Sequence, residues 1–292
     1  MSTLIFAGHD TFHCRRFWLK KAHDFVDNEN NFKDADASIF LGVGRNMVTA
    51  IRFWARCFQV IDVDDNLTKI GNKIFSDKGW DPYLEDFGTL WLLHYKLVAS
   101  AKASTFSIVF NDLLKYNQEI SLPLFLDHVN KLEKDYNQNS LKKDFNVFVK
   151  TYLAEFDENN LEESFSGILT ELNLIKPIKK SFIDASGTIK IKEIYQIERG
   201  PKPQIPSEIL LYAILDQNKN DISISFEKLY NEPNQIASVF NLDKEGLVTA
   251  LEKIAHQLRH LGITFSNEAG VKELQFRGNI NSLEILNQYY GS

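Results

Sequence analysis

Residues 45–59 read RNMVTAIRFWARCFQ, and this stretch shows the clearest helical periodicity in the chain. Four apolar residues recur at steps of four, three and four, which places them along one side of a helix. They are Met47, Ile51, Trp54 and Phe58. Polar and cationic residues recur at similar steps along another side: Arg45, Thr49, Arg52, Arg56 and Gln59. The stretch therefore predicts a helix with one side built for a core and another side that is cationic.

The sequence around this helix predicts further short elements. Phe17–Phe25 has helical periodicity, and a short run over 35–41 ends at Gly42-Val-Gly44, which we interpret as a tight turn. Asp62–Asn66 has the composition of a turn. Asp81-Pro82 is typical of a helix start, with Asp as N-cap and Pro at the first helical position. We therefore expect a strongly apolar, buried helix from residue 82 onward.

The rest of the chain alternates helical and extended patterns. Residues 104–160 read as helices rich in Phe, Leu and Lys, and Leu161–Ile175 is amphipathic. Residues 181–197 carry a hairpin signal around Asp184-Ala-Ser-Gly-Thr188. Gly200-Pro-Lys-Pro-Gln-Ile-Pro206 is typical of a linker. A later helical pattern with Leu247, Leu251, Ile254, Leu258 and Leu261 on one face precedes two extended stretches ending near residue 276.

One motif pattern recurs three times. A helical stretch ends in an apolar pair, near residues 60–61, 174–175 and 261–263, and runs into extended or turn-rich sequence. A helix followed by a β-hairpin is the ending of a winged-helix unit. We therefore predict a mainly α, multi-domain protein with small β-hairpins and winged helix-turn-helix units at its two ends. The expected domains are 1–100, a helical middle with a hairpin over 101–200, and a winged unit over 201–292.

Charge is unevenly distributed along the chain. The net charge is −6, which argues against indiscriminate nucleic-acid binding over the whole surface. Residues 1–60 nevertheless carry eight Lys/Arg against six Asp/Glu, and residues 176–202 carry seven against three. Any contact with DNA is expected in one of these two stretches.

Composition also limits compartment and cofactors. No apolar run approaches the ~20 residues of a membrane span, and residues 1–10 lack the features of a signal peptide, so we expect a cytoplasmic protein. The two cysteines, Cys14 and Cys57, fit buried free thiols better than a disulfide, although a disulfide stays open. Two cysteines are too few for an iron–sulfur cluster, and no other ligand set has a recognisable spacing. We therefore expect no cofactor and no stoichiometric metal.

The first third of the chain resembles a prokaryotic family of unknown function. Its members are encoded near phosphoadenosine-phosphosulfate-reductase-like genes and near DNA-phosphorothioation or phage-defence genes. The similar residues begin with Phe6-Ala-Gly8-His9-Asp10-Thr11-Phe12, Arg15, Trp18-Leu19 and Lys21, continue with Leu41-Gly-Val-Gly-Arg-Asn-Met-Val48, Ile51 and Trp54, and end with Asp81-Pro-Tyr-Leu-Glu-Asp86 and Thr89-Leu-Trp-Leu-Leu-His-Tyr95. Asp10 stands where the family usually has Glu, and Arg45 where Lys is common.

This resemblance implies a helix-turn-helix protein that acts in DNA modification or antiviral defence. It implies a partner enzyme of the phosphoadenosine-phosphosulfate-reductase-like class. It supplies no catalytic residue, because no activity is established for the family.

The cationic side of the central helix is the candidate DNA contact. Arg45 and Asn46 lie at its N-terminus, from which recognition helices mainly read base edges. Thr49, Arg52 and Arg56 extend the same side, and the guanidinium groups suit phosphates. The alternative is that this face is solvated or paired with the acidic remainder of the chain.

Other motifs have a simpler structural interpretation beside the functional one. The hairpin carries five lysines that would suit a wing in contact with phosphates: Lys176, Lys179, Lys180, Lys190 and Lys192. Lysines are also common on exposed edge strands, where they prevent pairing with another strand. Three residues, His9, His13 and Cys14, suggest a metal but lack a matching second pair. The acidic residues Asp81, Glu85 and Asp86 suit helix capping better than magnesium binding or acid–base chemistry.

These observations favour a non-enzymatic protein that binds double-stranded DNA and docks a partner enzyme in a bacterial DNA-modification or phage-defence system. Residues 201–292 hold eight Lys/Arg against eleven Asp/Glu, so we expect this end to bind protein. One alternative is an assembly subunit that binds only protein. A weaker alternative is a metal-dependent nuclease.

Overall fold

A computed structural model describes residues 4–100, 102–132, 136–154, 167–183, 189–268 and 270–291. About half of the chain is helical, and the strands form two small antiparallel sheets. The prediction of a mainly α protein with small β-hairpins is therefore confirmed.

The N-terminal third consists of five helices. They are α1 (Trp18–Asp27), α2 (Ala37–Leu41), α3 (Arg45–Cys57), α4 (Lys69–Phe75) and α5 (Phe87–Ala99). The central helix α3 packs against α1 and α2. Its predicted apolar stripe is confirmed in part: Ile51 and Trp54 are fully buried, Phe58 is nearly so, and Met47 is half-buried.

The expected wing at the N-terminal end is not seen in residues 4–100. This part of the described chain has no β-strand, and the turn after α3 is closed by a single bridge between Ile61 and Leu67. The physical reason lies in Thr68, whose side-chain oxygen accepts a hydrogen bond from the backbone N–H of Gly71 at 2.9 Å. This N-cap starts α4 at once, so no residues remain for a second strand.

The helix expected at Asp81-Pro82 begins five residues later. Both Asp81 oxygens accept backbone hydrogen bonds, from Glu85 at 2.8 Å and from Asp86 at 3.0 Å, and they hold a turn. The N-cap of α5 is Asp86, which accepts from the backbone N–H of Thr89 at 3.0 Å. Asp81 and Asp86 are both suitable N-cap residues, and the periodicity of the sequence does not show which of them begins the helix.

The middle unit spans residues 104–196. Its elements are α6 (Ser104–Ile108), a π-helical turn (Val109–Leu113), α7 (Leu114–Tyr116), β1 (Glu119–Ile120), α8 (Leu122–Asn130), α9 (Gln138–Tyr152), a 3₁₀ turn (Thr170–Leu172), β2 (Lys176–Ile183) and β3 (Ile189–Gln196). The sheet order is β1-β3-β2. The hairpin pairs Lys176 with Gln196 and Ile183 with Ile189, and its predicted turn at 184–188 lies outside the described residues.

The predicted helix Leu161–Ile175 is not found in its described part. Residues 167–175 contain a 3₁₀ turn, which ends at Asn173 with a φ of 50°, and an isolated β-bridge from Gly167 to Arg15. The backbone N–H of Ile168 donates to the carbonyl of Cys14 at 3.0 Å, and that of Leu169 donates to Thr151 at 3.1 Å. These hydrogen bonds join the segment to other elements, which a local helical pattern cannot reveal. Residues 161–166 lie outside the described chain.

The C-terminal unit spans residues 207–276 and repeats the order of the middle unit. Its elements are α10 (Ser207–Gln217), β4 (Ser223–Ser225), α11 (Phe226–Asn231), α12 (Ile236–Val239), α13 (Lys244–Gln257), a 3₁₀ turn (Arg259–Leu261), β5 (Ile263–Glu268) and β6 (Val271–Phe276), and α14 (Ser282–Tyr289) follows it. The sheet order is β4-β6-β5. Both units therefore run helix, strand, helices, strand, strand, with the third strand between the other two.

Buried side chains from all three expected domains form one connected core. At its centre lies His94 of α5, which is fully buried. Its Nε2 bonds the carbonyl of Val239 at 2.8 Å, and its Nδ1 bonds the hydroxyl of Tyr152 at 2.8 Å. The segment expected to be a linker is also packed, since Ile205 is fully buried and Gly200 donates to the carbonyl of Asn241 at 3.1 Å. The boundaries at 100 and 200 stay predictions.

The helices of the described chain are too short or too polar to cross a lipid bilayer.

Candidate nucleic-acid interface

The outer side of α3 begins with three exposed polar residues. Arg45, Asn46 and Thr49 are exposed, and within the described chain neither the Arg45 nor the Asn46 side chain has a hydrogen-bond partner. The hydroxyl of Thr49 donates to the carbonyl of Arg45 at 3.4 Å. No acidic residue occupies the first turn, and the N-cap Gly44 supplies no side-chain acceptor. This end of the helix therefore presents a guanidinium group and backbone N–H groups, a combination that suits an anion.

The other two arginines of the same side are engaged by one carboxylate. Arg52 donates to Asp65 through Nε at 2.9 and 3.0 Å and through Nη2 at 2.6 Å. Arg56 donates through Nε to the same carboxylate at 2.9 Å and through Nη2 to the carbonyl of Val63 at 2.7 Å. The side chains of Arg52, Arg56 and Asp65 are 26%, 29% and 15% exposed. The three groups together carry one net positive charge instead of two.

The turn after α3 holds Asp65 in place. The carboxylate of Asp62 accepts from the backbone N–H of Asp64 at 2.8 Å and from that of Asn66 at 3.0 Å. The hydrogen bond from the Asn66 backbone is the largest cause that lowers the pKa of Asp62. Asp65 itself has a φ of 68°, a conformation that Asp and Asn tolerate better than most residues. Pairing of the arginine face with acidic residues of the same chain, the alternative that the sequence left open, is thus present at Arg52 and Arg56. Within the described chain it is absent at Arg45.

Sequence reasoning identified the turn but missed what its carboxylate contacts. Helical spacing shows which residues share a face, whereas the position of Asp65 over that face depends on the turn's backbone. A signal was available in the composition, since four of the residues 62–66 are Asp or Asn and follow the arginine row directly. Asp65 therefore divides the face into an end with a free arginine and an end where one carboxylate offsets half of the positive charge.

The motif around His9 packs beneath α3 and has a structural role. The His9 ring stacks on Trp54 with centroids 5.6 Å apart, and its Nε2 lies 3.0 Å from an oxygen of Asp144 on α9. The other Asp144 oxygen accepts from the backbone N–H of Ala7 at 2.8 Å. Three residues of this segment, Ala7, Asp10 and Thr11, have positive φ values, which fits a tight loop. The buried Nδ1 of His9 has no hydrogen-bond partner among the described residues.

The candidate metal residues are not brought together as a ligand set. Across the part of the chain that the structure describes, no three His, Cys, Asp or Glu side chains are placed to hold a metal ion. The cysteines Cys14 and Cys57 are both free and fully buried, which confirms the thiol interpretation over the disulfide. Among the acidic residues, Asp86 is the N-cap of α5, whereas Asp81, the expected N-cap, accepts backbone hydrogen bonds in the preceding turn. The hydroxyl of Tyr289 donates to Asp86 at 2.9 Å.

The polar sides of the later elements are largely engaged within the chain. On α13, the Nζ of Lys253 donates to the carbonyls of Pro203 and Ile205 at 2.9 and 2.7 Å. On the hairpin, Lys176 pairs with Glu198 at 2.8 Å, and Lys180 pairs with Glu119 at 2.6 Å. The hairpin therefore carries less free positive charge than its sequence indicates.

The fold and the site together define a helix-rich protein with two similar three-stranded units and exposed basic residues on its helices. The chain belongs to the family described as protein of unknown function, DUF4007, whose profile matches residues 6–290. The resemblance found in the sequence to a family of unknown function is thereby confirmed, and the gene neighbourhood stays a prediction.

Two solved structures resemble the chain over nearly its whole length. A crystal structure described as magnesium ion-bound SspB has a TM-score of 0.81 and 28% sequence identity, and the match covers 99% of this chain and 88% of that chain. A crystal structure described as SspB has a TM-score of 0.79 with the same identity and coverage. A search of curated proteins gave no match.

Proposed function

We propose that this protein binds double-stranded DNA and docks a partner enzyme in a bacterial DNA-modification or phage-defence system. The observation that carries the DNA part is the exposed end of α3. There Arg45, Asn46 and Thr49 are exposed at a helix N-terminus that has no acidic residue. An amide and a guanidinium group are the side chains that most often hydrogen-bond base edges, and the helix N-terminus favours phosphate.

The topology of the two later units supports the same proposal. We propose both units as winged helices, because each runs helix, strand, helices, strand, strand, with the third strand between the other two. This architecture is widespread among DNA-binding proteins, but it also serves protein docking. The fold alone therefore does not distinguish DNA binding from protein docking. We propose the C-terminal unit as the docking unit, because residues 201–292 hold eight Lys/Arg against eleven Asp/Glu and α13 exposes Glu245 and Glu252 against Lys244. The proposed partner is an enzyme of the phosphoadenosine-phosphosulfate-reductase-like class, and the proposed compartment is the cytoplasm.

The experiment for the DNA part uses the full chain and fluorescence anisotropy on labelled duplexes of several sequences. Arg45→Ala should weaken binding by about tenfold on the preferred sequence and less on others, because one base contact contributes about 1–3 kcal/mol. The matched control is Arg259→Ala, which removes an exposed arginine of the C-terminal unit. Equal affinity of both variants and the wild type would overturn the role of Arg45.

The experiment for the docking part is purification from the native host with a tagged chain, followed by mass spectrometry. Replacing Glu245 and Glu252 with Lys should abolish recovery of the partner while duplex binding persists. Recovery of the same partner at wild-type yield would contradict a docking role for α13. Recovery of a partner without any duplex binding would favour the alternative of an assembly subunit.

A second candidate is a magnesium-dependent function, which the description of one similar structure as magnesium ion-bound favours. The described residues of this chain offer no cluster of three ligands, and Asp81 uses both oxygens for backbone N–H groups. Isothermal titration with Mg²⁺ separates the candidates: a stoichiometric heat of binding, together with cleavage of plasmid DNA that requires Mg²⁺, would favour a nuclease.

A further inference from the structure

The helix α9 of the middle unit occupies the place that α13 occupies in the C-terminal unit. It is the last α-helix before the hairpin strands in the described chain. Its inner side is buried at Leu141 and Phe148, and Phe145 lies 6.0 Å from the ring of Tyr195 on β3. The helix is therefore fixed to its sheet along one side, and the opposite side is directed to solvent.

The outer side of α9 carries amide and ammonium groups. Five of its residues are exposed: Gln138, Asn139, Lys142, Lys143 and Asn146. At 100° per residue these positions fall within an arc of about 140°, and they extend along roughly 12 Å of the helix. This is one continuous surface along the helix, and an α-helix with its side chains, about 10–12 Å in diameter, fits the DNA major groove, which is about 12 Å wide.

Among the described residues of α9, no carboxylate lies on this outer side; the flanking residues 133–135 and 155–166 lie outside the described chain. The only acidic residue of α9 is Asp144, which is 4% exposed on the inner side. Its two oxygens are used by His9 and by the backbone N–H of Ala7. Within the described chain, neither Lys142 nor Lys143 forms an ion pair. In a chain of net charge −6, an exposed helix side with two unpaired lysines and no acid is an uneven distribution of charge.

The same position in the C-terminal unit shows a contrasting surface. There α13 exposes two carboxylates, Glu245 and Glu252, against one exposed lysine, Lys244, and Lys253 is occupied by backbone carbonyls. Carboxylates repel phosphate, so the two similar units differ in the ligand that their outer helix suits. The middle unit suits a polyanion.

We infer that the outer side of α9 is a second duplex-DNA contact, separate from the end of α3. Lys142 and Lys143 bind backbone phosphates, and the amides of Asn139 and Asn146 face the base edges. The Gln138 amide donates to Oδ1 of Asn130 at 2.8 Å and lies at the edge of this surface. Charge complementarity and the presence of amides favour duplex DNA over a protein partner, because amides in a groove pair with adenine and phosphates take the lysines. This inference rests on the proposed function in that both require the chain to bind DNA.

The test measures duplex binding of the full chain by fluorescence anisotropy between 50 and 300 mM salt. Each phosphate contact contributes about 0.9 to the slope of log K against log salt. The variant Lys142→Gln/Lys143→Gln should therefore lower the slope by about 1.8 and the affinity by about 60-fold at 0.1 M salt. The control variant Lys78→Gln/Lys219→Gln loses the same charge at two exposed lysines elsewhere and should match the wild type.

The outcomes separate the two claims. A wild-type chain that binds no duplex would overturn the proposed function and this inference together. A wild type that binds, with the α9 variant equal to the control, would overturn only the α9 contact. A slope loss that is the same on single-stranded as on duplex DNA would overturn the groove assignment. Circular dichroism should show unchanged folding, and Asn139→Ala should alter sequence preference without changing the slope.

Discussion

Asp65 determines how much of the α3 face is available to DNA, and Asp65→Asn tests this directly. The substitution keeps the size of the side chain and suits the backbone, because Asn tolerates the φ of 68° at this position. It removes the charge that holds both Arg52 and Arg56. The net charge of the three groups rises from one to two.

The size of the effect follows from the geometry. If the two guanidinium groups released by the change reach phosphates, the slope of log K against log salt steepens by between about 0.9 and 1.8. At 0.1 M salt this corresponds to roughly 8-fold to 60-fold tighter binding. Since the ion pairs are partly exposed, we expect a loss of only about 1 kcal/mol in the free energy of unfolding. Affinity should rise while stability falls slightly.

The assay is fluorescence anisotropy on one duplex across a salt series, with a thermal melt of each variant. Asp64→Asn is the matched control, because it removes the same charge from an exposed neighbour that forms no ion pair in the described chain. A folded Asp65→Asn variant with the slope of the Asp64→Asn control would refute the reasoning. It would mean that the second half of the α3 face does not meet DNA.

Three further predictions concern stability and chemistry. Burial lowers the pKa of His94 from 6.5 to about 4, so the stability that the neutral ring contributes is complete above pH 6.5 and is lost as the pH falls toward 4. Urea unfolding should show that the free energy of unfolding falls by about 3 kcal/mol over this range, and by less in His94→Gln. A free energy of unfolding that stays constant in the wild type would contradict this prediction. Burial also raises the pKa of both Cys14 and Cys57, so Ellman's reagent should label neither thiol in the folded chain and both after unfolding; rapid labelling of the native protein would be inconsistent with the core. Removal of residues 201–292 should abolish cooperative unfolding of the remainder, because it deletes the Val239 carbonyl that His94 bonds; a cooperative transition in the 1–200 fragment would show that the domains are separable.

The periodicity of apolar residues predicted those helices and strands that have one apolar side and one polar side. The α3 stripe, the hairpin strands within 181–197 and the final hairpin were all visible in the sequence, because one side of each repeats apolar residues at a regular step. The start of α5 was misplaced, because Asp81 and Asp86 are both good caps and only the backbone decides between them. The amphipathic pattern after residue 161 predicted a helix that residues 167–175 do not form, because hydrogen bonds to distant segments replace it.

In the candidate site too, the features that depend on helical spacing were predictable, and the contacts between distant segments were not. The exposed end of α3 was predictable from spacing alone. The pairing of Arg52 and Arg56 with Asp65 was not, because it depends on the fold of a turn. The α9 surface was overlooked, since its sequence contains Asp144 among the lysines and reads as mixed in charge. Only the structure shows that this carboxylate is turned inward and bonded to His9.

The most direct measurement is the salt dependence of duplex-DNA binding by the unmodified full chain. Arg45, Lys142 and Lys143 are the cations that we assign to phosphates or base edges. If all three displace counterions, log K falls linearly with log salt with a slope of about −2.7 or steeper. Affinity in the micromolar range or tighter at 50 mM salt, with that slope, is the predicted result. No binding at 50 mM salt, or an affinity that does not change with salt, would contradict the account.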